Sequence, residues 1–216
     1  MSTQPRRSRV VAVTGASGRI GRATARAFAA SRTRVVLMAD RDSRPLEGEG
    51  LRRAAEEVRA TGGTAVVLPL DVGDPTAVAA AVDRVEAEVG PIDVWVNAPA
   101  DRAASDGAMG PADRQHLSEV GYLGSVYTTK AVLAPMIERD RGTVVQVSRA
   151  EAGRCAEDGP DGPGTARAIE GFHGSLLGEL GRLRSRVHLT IVPVTAPEPE
   201  GTARAVVAAV DDDPWT

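Results

Sequence analysis

Six short runs of apolar, mostly β-branched residues punctuate the chain: Val10-Val11-Ala12-Val13, Val35-Val36-Leu37, Ala65-Val66-Val67-Leu68, Val94-Trp95-Val96, Val144-Val145-Gln146-Val147 and Leu189-Thr190-Ile191-Val192. They are apolar throughout instead of alternating, which is the pattern of strands covered on both faces of a parallel sheet. Between them apolar residues recur at i, i+3, i+4 and i+7, in Ile20/Ala23/Thr24/Ala27/Phe28, Leu51/Ala54/Ala55/Val58, Val78/Ala81/Val82/Val85 and Ala203/Val206/Val207/Val210. That is the spacing of helices that lay one stripe on a sheet. Strand and helix in repeated alternation predict an α/β fold, a doubly wound parallel sheet with helices on both faces and right-handed crossovers. The expected strand order is 3-2-1-4-5-6, with no seventh strand. Ligands of such sheets bind beyond the carboxyl ends of the strands.

The chain of 216 residues suits one domain, read here as 9–210, with a flexible N-terminal tail over 1–8 and a C-terminal tail over 211–216. With 42% apolar and 25% charged residues it has the balance of a globular protein, and fibrous or disordered classes are excluded. Aromatic residues are only 3%, so Val, Ala, Leu and Ile must build the core. The net charge of −3 leaves no electrostatic footprint for nucleic acid or an anionic membrane, and Arg6-Arg7-Arg9 reads as a solvated start. Neither a membrane span nor a secretory signal is expected, which makes the cytoplasm the default location. The single cysteine, Cys155, has no internal disulfide partner, and with His116, His173 and His188 it shows no metal-ligand spacing.

Directly after the first run stands Thr14-Gly15-Ala16-Ser17-Gly18-Arg19-Ile20-Gly21, opening the first amphipathic stretch. Glycines there permit a tight turn and close backbone approach, and a helix N-terminus offers unpaired N–H groups to a pyrophosphate. A structural βα turn without a ligand would use similar residues; strand, glycine turn and helix in this order favour the phosphate reading. Asp40 follows the second run, where a carboxylate would accept the hydroxyls of an adenosine ribose. It suggests NAD over NADP, because a 2′-phosphate would be repelled. Arg41, adjacent, weakens that preference, and an exposed turn residue is the alternative.

With these features the chain resembles the short-chain dehydrogenase/reductase family, from about Arg9 to Val192. The likeness includes Arg22-Ala-Thr-Ala-Arg-Ala-Phe-Ala29, Leu70-Asp71-Val72 and Ile92-Asp93-Val94-Trp95-Val96-Asn97. The resemblance implies a Rossmann-type domain that binds a nicotinamide dinucleotide. Gly15, Ser17, Gly18, Arg19, Ile20 and Gly21 would form the phosphate loop, Asp71 and Val72 would contact the adenine, and Asn97 would lie beside the cofactor. The spacing Gly15-x-x-Gly18-x-x-Gly21 looks like the family's extended subgroup, whereas length and remaining motifs look like its single-domain subgroup.

The family's chemistry rests on an asparagine, a serine, a tyrosine and a lysine. Aligned without gaps, those positions fall on Gly121, Arg149, Gly162 and Ala166. Ser148 is one residue off, and a one-residue slip along a strand turns a side chain to the opposite face. Tyr127 and Lys130 have the wrong spacing and lie in another helix. The family's Asn-Asn-Ala-Gly is here Asn97-Ala98-Pro99-Ala100, and no substrate-covering lobe separates the sixth run from the last helix. The sequence therefore points to a dinucleotide-binding protein that keeps the adenosine half of its site and lacks the chemical half, a regulatory or scaffolding pseudoenzyme. The rival is an NAD(P)-dependent oxidoreductase for alcohols or carbonyls that uses Arg149, His173 or Asp158. A homodimer, or a pair with an active relative, is expected through helices near Ala112–Arg139 and Pro163–Arg184. In the second of these Ile169, Phe172, Leu176, Leu180 and Leu183 would face the core, with Gly171, Gly174, Gly178 and Gly181 opposite.

Overall fold

A computed structural model of the chain describes residues 8–29, 33–40, 50–98, 119–148, 163–194 and 198–211. Six strands, β1 (Arg9–Val13), β2 (Thr33–Ala39), β3 (Thr64–Pro69), β4 (Val94–Asn97), β5 (Thr143–Ser148) and β6 (His188–Pro193), contain the six apolar runs. They alternate with helices α1 (Arg19–Phe28), α2 (Gly50–Ala60), α3 (Pro75–Glu88), α4 (Gly124–Glu138), α5 (Pro163–Leu183) and α6 (Pro199–Asp211). A π-helical turn, Glu119–Leu123, leads into α4. Every strand pairing is parallel. The order is β3-β2-β1-β4-β5-β6, as the sequence predicts, with no seventh strand among the described residues.

Because side chains alternate along a strand, each strand feeds two separate cores. Val11, Val13, Val35, Leu37, Val94, Val96, Val145, Val147 and Val192 pack under α1, α2 and α6. Val10, Ala12, Val36, Met38, Trp95, Val144 and Leu189 pack under α3, α4 and α5. This two-sided burial explains why the runs read as uninterrupted apolar stretches. β3 departs from it: at the sheet's edge Val67 is 40% exposed, because an edge strand is only partly covered. In α1 the buried stripe takes Ala25 and leaves Ala27 exposed.

α5 differs more. Its buried stripe is Ala166, Ile169, His173 and Leu180, with Phe172 and Leu176 half-buried, whereas Leu183 is 57% exposed. The helix ends there, with Arg184 at φ 52, and the chain turns away to begin β6. Only residues 194–198 separate β6 from α6. α6 then lies along α1, joined by Arg26 Nη2 to Glu200 Oε1 at 2.8 Å, and its last residue pairs with the start of β1, Arg9 Nη1 to Asp211 Oδ1 at 3.2 Å. The helix thus runs one residue into the segment expected to be a tail.

Candidate functional site

At the carboxyl end of β1 the backbone makes the turn that the glycines predict. Thr14 N donates to Val96 O at 3.0 Å and Ala16 N donates to Met38 O at 2.9 Å, so the turn is fastened to both neighbouring strands. Gly15 has φ 60, the left-handed region where glycine carries no steric penalty. Gly18 N closes the turn on Gly15 O at 3.0 Å. Gly18 is also the N-cap of α1 and, being glycine, supplies no side-chain cap. The positive end of the helix dipole lies behind this turn, which suits an anion.

Gly21 is fixed by contact. A β-carbon there would stand 2.2 Å from Gly15 O and 2.7 Å from Gly15 C, so only glycine lets the first turn of α1 settle on the loop. Ile20 is buried and anchors the helix, Ser17 and Gly18 are half-buried, and Arg19 is exposed at the first helical position. The first turn carries no acidic residue. Loop, helix end and charge all suit a pyrophosphate.

Asp40 is half-buried directly after β2, two residues beyond the Met38 carbonyl that holds Ala16. Leu70 N donates to Ala39 O at 2.9 Å, which brings the end of β3 beside it. Asp71 is exposed, and its Oδ1 accepts the Gly73 N–H at 2.8 Å. Val72 is wedged against α4, with its Cγ2 2.6 Å from where a β-carbon on Gly124 would lie. The four ends β1, β2, β3 and β4 thus place the glycine turn, Asp40, Asp71, Val72 and Asn97 along one rim of the sheet.

Asn97 is held inside the protein. Its Oδ1 accepts from Trp95 Nε1 at 2.7 Å and from Thr128 Oγ1 at 2.8 Å, while its Nδ2 donates to Thr129 Oγ1 at 3.0 Å. The side chain ties β4 to α4. The sequence did not single out Thr128 and Thr129, and a threonine pair within a helical stretch gives no signal of this role.

Of the four positions aligned with the family's chemistry, Gly121 and Ala166 are described; Arg149 and Gly162 lie outside the described residues, as does Asp158. Gly121 sits in the π-turn, where its carbonyl accepts from Ser125 Oγ at 3.0 Å. Ala166 is 6% exposed, in the first turn of α5 that faces the sheet. Ser148 is buried at the end of β5. Tyr127 packs partly against the core, while Lys130 is exposed. His173 is 1% exposed, and neither ring nitrogen has a partner. Burial without compensation pushes its pKa down to about 4. It lies two helical turns beyond Ala166 on the same stripe, below the rim.

Among the described residues no group of histidine, cysteine and carboxylate side chains could hold a metal ion, and no helix is long and apolar enough to cross a membrane.

Comparison with known proteins agrees with this geometry. The family model for short chain dehydrogenase matches residues 9–195. The chain is 34% identical over 171 residues to a short chain dehydrogenase of Pseudocercospora fijiensis, an alignment that covers 78% of this chain and 53% of that protein. It spans 44% of the rat dehydrogenase/reductase SDR family member 7B, at 36% identity over 66% of this chain, so the match covers about half the length of each of these two relatives. Oxidoreductase UcpA of Escherichia coli is 33% identical over 196 residues, which cover 89% of this chain and 72% of UcpA. A metagenomic short-chain oxidoreductase solved in complex with NADP superposes with a TM-score of 0.77 at 29% identity, over 94% of this chain and 90% of that one. Actinorhodin polyketide ketoreductase, solved with NADPH, shares the fold with a TM-score of 0.79 at 23% identity, over 94% of this chain and 90% of that one. The parallel sheet, the glycine turn under α1 and the match from β1 to just beyond β6 together make this chain a member of the short-chain dehydrogenase/reductase family, with that family's Rossmann-type dinucleotide-binding fold.

Proposed function

We propose that the chain binds a nicotinamide dinucleotide by its adenosine diphosphate half and does not turn it over by the family's proton-transfer mechanism, acting as a regulatory or scaffolding subunit. The observation that carries this reading is Ala166. At the position of the family's lysine stands a methyl group buried against the sheet, which can neither hold a ribose nor lower the pKa of a neighbouring acid. Gly121, in the π-turn, likewise has no side chain for a relay. Gly15, Ser17, Gly18, Arg19, Ile20 and Gly21 would receive the pyrophosphate, Asp40 the ribose, and Asp71 and Val72 the adenine. Asp40 favours NAD, since its carboxylate would oppose a 2′-phosphate. The NADP and NADPH in the solved neighbours make NADP the comparison that matters.

A second reading has support in the names of the relatives, which are dehydrogenases and oxidoreductases. In that case other residues would move the proton, with Arg149, His173 and Asp158 as candidates. The burial of His173 argues against direct exchange with a substrate oxygen.

Absorbance of the reduced nicotinamide, followed across a panel of alcohols, ketones and quinones with NAD(H) and NADP(H), separates the two. The pseudoenzyme reading expects no substrate-dependent change. Turnover abolished by Arg149→Ala or His173→Ala would establish the second reading instead.

The same proposal includes pairing with a second copy or an active relative through α4 and α5. Gly171, Gly174, Gly178 and Gly181 are exposed on α5, and Leu177 beside them is 50% exposed.

A further inference from the structure

We propose that α5 is an acid-released element, which leaves the sheet when His173 takes up a proton while the sheet and the glycine turn stay folded. The inward stripe of α5 runs Ala166, Ile169, His173, Leu176 and Leu180, the spacing of one helical face. Leu176 and Leu180 join the core built on Trp95, Val144 and Leu189. His173 is the one side chain of that stripe able to carry a charge, and it is buried with Nδ1 and Nε2 both unpartnered. Even a neutral imidazole has a donor and an acceptor to satisfy, and a protonated one adds a charge to the same apolar surroundings.

No described side chain offsets that charge. On α5 itself Arg167, Glu170, Glu179 and Arg182 are exposed, as are Lys130 and Glu138 on α4. The π-turn brings the half-buried Tyr122, α4 the half-buried Tyr127, and β6 only His188, at its amino end. β5 carries no titratable group. Gln146, on the same face of β5 as Val144, leaves its own Oε1 unpartnered and so makes no bond to the ring. Burial alone therefore holds the ring neutral, pushing its pKa down to about 4.

α5 is also poorly able to hold itself. Gly171, Gly174, Gly178 and Gly181 interrupt it on the exposed side, each at a cost in helix propensity. A β-carbon at Gly171, Gly174 or Gly181 would meet nothing within 4 Å, so no neighbour braces that side. The main contacts of α5 are with β6, α4 and the π-turn, across the sheet from α1 and α2. Beyond its end the chain is pinned, since Ser185 Oγ donates to Asp140 Oδ1 at 3.1 Å and Arg186 Nε donates to Asp140 Oδ2 at 2.9 Å. Hydrogen bonds from Arg186, its backbone N–H first, hold the Asp140 carboxyl below its ordinary 3.8. The pin thus outlasts protonation of His173, and β6 keeps its place beside β5 when α5 lets go.

Amide hydrogen exchange, expressed as protection relative to unstructured peptide, tests this. His173 binds its proton at 6.5 when α5 is free and at about 4 when it is seated, so seating is full above the higher value and weakens as pH falls. From pH 7 to pH 5 the ratio of free to seated helix rises about twentyfold. Protection across α5 should fall by that factor while β1, α1 and β2 keep theirs. His173→Leu and His173→Gln, neither of which titrates, are expected to hold α5 protection level over the same range. Gly171→Ala and Gly174→Ala leave the buried stripe alone, and each should raise α5 protection about twofold to fivefold at both pH values. Protection of α5 in the parent chain that is equal at pH 7 and pH 5 overturns the proposal. So does a loss shared by β1 and α1, which would be unfolding of the whole domain, or a loss that persists in both His173 variants.

Discussion

Gly21 and Gly15 touch so closely that the missing side chain of one is the space occupied by the carbonyl of the other. A β-carbon on Gly21 would lie 2.2 Å from Gly15 O, far inside any contact distance, and the obstructing atom is backbone. Gly21→Ala must therefore push α1 off the loop. The expected result is loss of stability of about 1–3 kcal/mol, the usual range for overpacking, together with at least a tenfold weaker grip on ADP-ribose. Urea titration and calorimetry read the two effects. An alanine variant that binds as tightly as the parent would show that the loop is not the nucleotide site.

NAD should bind no more tightly than ADP-ribose. The glycine turn and the two acidic residues all meet the adenosine half, whereas Gly121 and Ala166 offer the nicotinamide half no polar side chain. Calorimetric titration with both ligands tests this. A preference for NAD of tenfold or more, about 1.4 kcal/mol, would mean that the nicotinamide end is held after all.

Asn97 supports the rim from inside. Asn97→Ala would remove the partner of the buried Trp95 indole N–H and of the Thr129 hydroxyl, while the Thr128 hydroxyl keeps the Gly124 carbonyl at 2.7 Å. A buried group left unsatisfied costs about 1–3 kcal/mol, so a loss of that order in urea unfolding is expected. Asn97→Ala with unchanged stability would imply that the network is dispensable.

His173 predicts a pH dependence with a definite sign. Its folded-state pKa is lowered to about 4 from 6.5, so between these values the unfolded chain binds a proton that the folded chain refuses. Stability is full above the unfolded value and falls as pH drops through that window, by on the order of 3 kcal/mol for the whole shift. Asp140 and Glu200, both with lowered carboxyl pKa values, lose their contributions as pH falls from their ordinary values of 3.8 and 4.5, at the acid end of this window and beyond it. His173→Leu should therefore flatten the profile between pH 6.5 and 4, and parallel profiles for the two proteins would refute the assignment.

The glycine face of α5 gives a separate test. A β-carbon added at Gly171 or Gly174 would meet nothing within 4 Å. Each glycine inside a helix costs about 0.5–1 kcal/mol relative to alanine. Gly171→Ala and Gly174→Ala should thus each stabilise the isolated chain by that amount in thermal unfolding. If α5 is also an interface that relies on close backbone approach, the same substitutions weaken pairing. Stabilisation without any effect on association would remove this face as an interface.

What could be read from the sequence divides along physical lines. Strand positions and order were legible because two-sided burial forces apolar residues at every position, and Val10 to Val13 can be nothing else. The glycine turn was legible for a different reason, since Gly15 and Gly21 answer to backbone sterics that no other residue satisfies. Partial cover was not legible: Val67 and Leu183 carry the same hydrophobic signal as core residues, and only their place at a sheet edge and a helix end exposes them. The holding of Asn97 was hidden as well. Its partners sit 31 and 32 residues away on a helix, and distant hydrogen bonds leave no periodic trace.

The position of α6 carries a consequence for the order of assembly. α1, which bears the glycine turn, is flanked on one side by α6 and is bonded to it through Arg26 and Glu200, side chains 174 residues apart. Contacts of such long sequence separation form late and slow folding. As the chain emerges from a ribosome, β1, α1 and β2 can pair early, but this flank of α1 stays bare until α6 has formed after β6. A nucleotide at the glycine turn would therefore find its seat finished only when nearly the whole domain is in place, and would act as a fastener on the completed fold instead of a template for its beginning.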